Sequence, residues 1–320
     1  MIKRFLNKTF VLITLLSVSL ISCSSGDGDV GGDNPPPSGG TTGQVPENND
    51  SGKNNNSEPD NINPGGTGGS DNPGSSGGNT DNTSWNLVFE DNFEGSSSQP
   101  DPQKWKLAKK GDDTWNRYLS ESYDQAYQKD GYLYLFGMLV DGEYKTGAIE
   151  TQGLHYFTDG QVKCRARFLR QPQGNHTGIW MMPEPGSQTQ KWPKSGEIDI
   201  MEHLDDQKVI YETVHFWNEE AQMDDSKDTK VAVDNDDFNV YGVIWDNKSL
   251  SFTVNGEVKF TYSNEDPGST QFSYQYPFTE PFYLILSQSL GGKGTWEGVI
   301  DDSELPAIFQ IDWIKVWQKK

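Results

Sequence analysis

The chain of 320 residues holds only two cysteines and four histidines, and its longest apolar stretch near the N-terminus, Phe10–Ile21, is too short to span a membrane comfortably. With so few cysteines, disulfides cannot supply the stability, so the folded part must rest on the size of its own core. Cys164 lies in a strand-like run, Gln161–Phe168, with no histidine near it in sequence. It reads as a small apolar core residue and not as a nucleophile. No His/Cys group has metal-ligand spacing, which argues against a catalytic metal centre. There is no Gly-x-Ser-x-Gly elbow, and no acidic partner can be assigned to the histidines, which argues against a serine or cysteine hydrolase. Basic residues are also scarce: 26 Lys and Arg stand against 47 Asp and Glu, a net charge of −21. That balance argues against nucleic acid as a partner and suits a secreted protein acting on neutral glycans. Helical periodicity over ten or more residues is missing as well.

The first quarter lacks the apolar content of a folded domain. Lys3, Arg4 and Lys8 precede the apolar stretch, the layout of a secretory signal. It ends Leu20-Ile21-Ser22-Cys23, which resembles a bacterial lipobox with Cys23 as the acylated first mature residue. Residues 1–22 are thus expected to be a lipoprotein signal. Residues 23–83, the lipidated cysteine followed by Gly, Ser, Asn, Asp, Pro and Thr, would form a disordered tether. Random-coil scaling gives such a tether an end-to-end distance of about 45 Å. Export to the outer membrane, with the domain facing the cell surface, is the expected location.

Residues 84–320 form the expected domain. Short aromatic and β-branched runs alternate with turns, among them Asp130-Gly131, Asp141-Gly142, Asp159-Gly160 and Asn255-Gly256, which read as hairpin signals. Many short strands in roughly 235 residues predict an all-β sandwich or barrel. Within this pattern Gly196-Glu-Ile-Asp-Ile-Met-Glu202 places three carboxylates in an apolar strand. Alternation puts Glu197 and Asp199 on one face and Ile198 and Ile200 on the other. A regular pleat would send Glu202 to the wrong side; one extra residue, a β-bulge near Ile200–Met201, would turn it back. Three crowded carboxylates repel each other, which is costly unless the site uses the charge. Two of them about 5–5.5 Å apart is the geometry of a retaining glycosidase. The bland alternative is a solvated acidic strand face.

That strand, together with Trp192-Pro193, Gly178-Ile-Trp-Met-Met-Pro183, Tyr144-Lys-Thr-Gly147, Gly160-Gln-Val-Lys-Cys-Arg-Ala-Arg167 and the closing Ile311-Asp-Trp-Ile-Lys-Val-Trp317, resembles glycoside hydrolase family 16 over essentially all of residues 85–318. The resemblance implies a β-jelly-roll sandwich of the concanavalin A-like lectin and glucanase type, with a glycan cleft and internal hydrolysis of β-glycosidic bonds with retention. It makes Glu197 the nucleophile, Glu202 the general acid/base and Asp199 the partner that holds the nucleophile through a shared proton or hydrogen bond. Glu202 must be protonated when it meets the leaving oxygen, and neighbouring negative charge favours that form. The resemblance further implies that Trp192 is a subsite aromatic in an exposed loop and that His215 lines the cleft, although a hydrogen-bonded core histidine would fit His215 too. Trp115, Asn116 and Arg117 would reach distal sugars, and Trp296 would be a further loop aromatic at the substrate. Trp180 suits core and cleft equally. His203 alternates away from Glu202 and reads as structural.

Laminarin-cleaving members usually carry Trp where His176 stands here and Asn where Ser287 stands. The segments Asn116–Tyr127 and Glu202–His215 look more like gut-bacterial members that cut galactosides inside mucin-type O-glycans. The resulting expectation is an endo-β-galactosidase on such glycans, with an endo-β-1,3(4)-glucanase next. In another class stands a non-catalytic glycan-binding lipoprotein, which would have no use for three crowded acids. A monomer is expected, with no cofactor required. Some family members hold a structural calcium; Asp312 matches one of its ligands, and the early position is Asn92, a neutral oxygen donor.

Overall fold

Asp130-Gly131, Asp141-Gly142 and Asn255-Gly256 each place two successive residues at positive φ, from 51° to 81°. This is the two-residue turn that matches the twist of a hairpin, and it suits Asp, Asn and Gly. The three turns join strands as expected. The computed structural model describes residues 85–186 and 191–320. The expected signal, Cys23 and the tether lie outside the described residues. In chain order the strands are β1 Trp85–Asp91, β2 Lys106–Leu107, β3 Ala126–Lys129, β4 Tyr132–Val140, β5 Glu143–Thr146, β6 Ala148–Glu150, β7 Gly160–Arg170 and β8 Asn175–Pro183. There follow β9 Glu197–Leu204, β10 Val209–Asn218, β11 Met223–Ala232, β12 Asn239–Trp245, β13 Ser249–Val254, β14 Glu257–Ser263, β15 Phe282–Leu290 and β16 Ala307–Lys319.

They form two antiparallel sheets, the sandwich expected from the sequence. One runs β11-β10-β9-β8-β15-β6-β2; the other runs β14-β13-β12-β7-β16-β4-β3, with β1 on β16 and β5 on β4. Alternating residues of both sheets fill one core, with Ile179, Met181, Ile198, Val214, Leu284 and Leu286 from the first and Val162, Cys164, Val243, Ile311 and Ile314 from the second. Cys164 is fully buried among them, the structural place expected of it.

Asp159-Gly160 is not a hairpin. The chain leaves β6 in one sheet and enters β7 in the other, and Gly160 opens β7. A Cβ there would lie 2.4 Å from the Trp317 carbonyl oxygen, so glycine permits close approach to β16. Asp312 and Asn92, the residues matched to a calcium site, have side-chain partners in the structure. The Asp312 carboxylate pairs with Arg165. The Asn92 amide turns to Glu90 at 3.3 Å. Among the described residues no three His, Cys, Asp or Glu gather around Asp312.

Glu212 on β10 faces the core, fully buried, and neither carboxyl oxygen has a hydrogen-bond partner. Burial pushes its titration up to about 8, with Lys259 opposing. The folded protein therefore holds this proton more tightly than the unfolded chain does. Its contribution to stability is complete below about pH 4.5 and is lost as the pH rises towards 8. Glu212→Gln should flatten the fall in Tm between pH 5 and 8; an unchanged slope would show that Glu212 does not set it.

Candidate active site

The extra residue in β9 is Ile200. Against β8, Met201 lies opposite Ile179 and Asp199 opposite Trp180. Against β10, Glu202 lies opposite Tyr211 and Asp199 opposite Thr213, so three residues of β9 span two of β10. Ile198, Ile200 and Met201 all enter the core, while Glu197, Asp199 and Glu202 share the outer face. Gly196 lets the chain enter this strand: its φ is 82°, and a Cβ would lie 2.8 Å from Pro277 and 2.9 Å from Phe278. Apolar side chains thus anchor both sides of the bulge, and the acids are what remains on the opposite face.

Glu197 and Asp199 are held well above the ordinary carboxylate range. Burial is the main cause for both. Next come Asp199 for Glu197 and Glu202 for Asp199. The pair therefore retains a proton. Its placement follows from what surrounds each oxygen. The Trp192 indole N–H donates to Glu197 Oε2 at 2.5 Å, and His215, directly across on β10, also favours charge on Glu197. Asp199, 2 % exposed, has an Oδ2 that finds no hydrogen bond, although His215 Nε2 lies 3.3 Å away. A hydrogen bond with Glu197 in turn favours charge on Asp199, so one proton is shared between the two carboxyls. The donor atoms of Glu197, Asp199 and His215 lie within 4.8 Å of one another, close enough to share a cation. The retained proton and the Trp192 N–H already answer that charge.

Glu202 is gripped at both oxygens. Thr213 Oγ1 donates to Oε2 at 3.1 Å, and His176 Nε2 lies 3.2 Å from Oε1. Sequence reading passed over Thr213 and treated His176 only as a departure from a pattern. A signal was available for the first, because Tyr211, Thr213 and His215 alternate onto the face of the acids once β10 is paired with β9. His176 required the β8 register, and its partners Ser289 and Glu297 come from a distant part of the chain.

The other expected residues divide. Trp192 is 48 % exposed, with its ring 6.2 Å from that of His215, and both stand beside Glu197. Trp180 shares the face of the acids but is 7 % exposed. It packs with Tyr283 and Ile285, meets Trp115 edge-on at 4.8 Å and donates its N–H to Ser287 at 3.1 Å. It therefore forms the floor of this face. Trp296 is exposed and lies 5.4 Å from both His176 and Tyr211, at the Glu202 end. Asn116 departs from expectation: it is buried, folded towards Asp113 and packed into the space left by Gly111. The Arg117 guanidinium donates to the Gly291 carbonyl and lies 4.9 Å from the Tyr118 ring centre, joining two loops. His203 is buried and stacked on Phe168 at 4.0 Å, with Nε2 at 2.6 Å from the Gln207 carbonyl. Burial pushes it down to about 4.

The family model "Glycosyl hydrolases family 16" matches residues 113–315. A keratan-sulfate endo-1,4-β-galactosidase of Sphingobacterium multivorum is 37% identical over 74% of this chain; the chain spans 56% of that relative's length. A β-glucanase of Rhodothermus marinus is 27% identical over 73% of this chain and 85% of its own. Among solved structures, one from work on endo-acting O-glycanases with which human gut bacteria initiate mucin breakdown superposes with a TM-score of 0.65 at 30% identity, covering 72% of this chain and 98% of that one. The laminarinase of Rhodothermus marinus gives 0.66 at 27%, over 74% and 99%.

Glu202→Gln should lower kcat on a glycan by about 10²- to 10⁴-fold, the usual worth of a general acid, and Glu197→Gln should remove turnover, with binding retained in both. Wild-type rates in either variant would refute the roles. Because the site must lose one proton to leave Glu197 charged, the acidic limb of kcat/KM should lie above the ordinary carboxylate range. Trp192→Phe should move that limb to higher pH, read from a pH–rate profile, since it removes a partner of the anion.

Proposed function

The chain belongs to glycosyl hydrolases family 16, and on that footing we propose that it is a retaining endo-β-galactosidase acting on mucin-type O-glycans. The observation that carries the chemistry is the bulge that gathers Glu197, Asp199 and Glu202 on one face, with distinct partners on each outer carboxylate. Glu197 attacks the anomeric carbon while Glu202 gives its proton to the leaving oxygen, forming a covalent glycosyl–enzyme. Water then attacks the same carbon, its proton passes to Glu202, and Glu197 departs as carboxylate. Asp199, which shares the retained proton, steadies the charge on Glu197. Trp192 and Trp296 offer exposed aromatic surface at the two ends of the acids, suited to the apolar faces of sugars.

The likeness to a keratan-sulfate endo-β-galactosidase and to a structure from work on O-glycanases favours a galactoside. The β-glucanase and the laminarinase favour an endo-β-1,3(4)-glucanase as the second reading. A non-catalytic glycan-binding role leaves the proton held by Glu197 and Asp199 without a purpose. The proposal extends to export as a monomeric lipoprotein, anchored in the outer membrane by Cys23 with residues 23–83 as tether.

The deciding experiment incubates the full chain with mucin O-glycans, keratan, laminarin and mixed-linkage β-glucan, beside a Glu197→Gln control. Oligosaccharides from mucin or keratan, absent in the control, are the expected products. Glucan oligomers alone would overturn the substrate and keep the mechanism; binding without products would overturn the enzyme. Cys23→Ser should shift the protein from the membrane to the soluble fraction on cell fractionation, and unchanged membrane association would refute the anchor.

A further inference from the structure

His176 lies on β8, on the face of the acids, and its surroundings are more elaborate than a strand position requires. Its backbone carbonyl accepts from Gln288 Nε2 at 3.1 Å and from Ser289 Oγ at 3.2 Å. The Gln288 amide belongs to a buried polar group with Asn175, Thr177 and Gln171. The ring is 12% exposed. Nε2 lies 3.2 Å from Glu202 Oε1, and Nδ1 lies 3.2 Å from Ser289 Oγ and 3.8 Å from Glu297 Oε1. Glu297 is 5% exposed and its Oε2 has no hydrogen-bond partner. Trp296, the residue before it, covers the ring edge-on. An imidazole therefore stands between two carboxyls, one at the reaction and one buried behind it.

We propose that His176, backed by Glu297, is a positioning residue that holds and aims the proton of Glu202. This rests on the glycosidase reading above and adds to it a group outside the three acids. A buried carboxyl facing Nδ1 favours a hydrogen on that nitrogen. In the neutral ring, Nε2 then carries the lone pair and accepts from the Glu202 acid. Thr213 takes the other oxygen, so partners on β8 and β10 fix the plane of the carboxyl. The remaining charged groups of this corner are engaged elsewhere. His203 lies buried against Phe168, Asp205 accepts from the Gly174 N–H at 2.7 Å, and Arg117 donates to Gly291. The carboxyl that faces Nδ1 is that of Glu297.

The test compares two leaving groups with the full chain. One substrate is the shortest oligosaccharide the wild type cleaves; the other carries a dinitrophenyl group at the same bond, whose departure needs no proton. His176→Ala should lower kcat/KM, which reports formation of the glycosyl–enzyme, about 10- to 100-fold on the sugar leaving group, part of the 10²- to 10⁴-fold worth of acid–base catalysis, and leave kcat/KM for the dinitrophenyl substrate nearly unchanged. His176→Gln, whose amide reaches where Nε2 stood, should recover most of the loss. Glu297→Gln should show the same selective loss to a smaller degree. Both rates come from one preparation, so an unfolded fraction cancels in their ratio. An equal loss on both substrates would overturn the proposal, as would failure of His176→Gln to recover the ratio. A wild-type ratio in Glu297→Gln would overturn the part given to Glu297. A wild type that cleaves no glycan would overturn the glycosidase reading, and this proposal with it.

Discussion

Ile200 and Met201 both point into the core, and an unbroken pleat forbids neighbours from doing so. The sheet accommodates them by slipping one residue against β8 and β10. That slip is the constraint on which the site depends. Without it Glu202 would fall between the sheets, where an unpaired carboxyl is expensive, and the remaining two acids would have no third. The apolar side chains thus enforce the position of the polar ones. Gly196 immediately before the strand, and Pro277 and Phe278 packed against it, fix where the pleat begins.

Once the acids are together, their neighbours make them unequal. Glu197 receives an indole N–H and the nearby His215, both of which favour its charge. Asp199 is deeper, and burial together with repulsion between the neighbouring carboxylates keeps one proton within the pair. Glu202, on the far side of the bulge, meets a hydroxyl and an imidazole instead. Two glutamates of the same strand thereby acquire different chemical characters from residues no more than one strand away.

The sandwich was legible because its strands are short, aromatic and bounded by Asp-Gly and Asn-Gly. One strand carries no such signal. β11, Met-Asp-Asp-Ser-Lys-Asp-Thr-Lys-Val-Ala, is charged on both faces and carries no pattern of its own; ten consecutive pairings with β10 make it a strand. Asp159-Gly160 misled because the same dipeptide that closes a hairpin also serves a crossing where backbone must approach backbone. In the site, the acids and the bulge could be read from spacing within one segment. Asn116 and Asp312 could not, since their environments depend on Gly111 and on Arg165. Nor could the arrangement of His176 with Glu297, which lie 121 positions apart in the sequence.

Trp296 and Glu297 are consecutive, yet one is 54% exposed at the edge of the acid face and the other 5% exposed behind His176. A single short loop, closed by the Gly292–Gly298 backbone bond at 2.7 Å and tied to Arg117, carries both. Any insertion, deletion or drift in that loop moves the two together. Diversification among descendants of this chain would therefore be coupled: a lineage that remodels the loop to admit a different glycan also alters the surroundings of its acid, so new specificities should arise alongside changed pH optima.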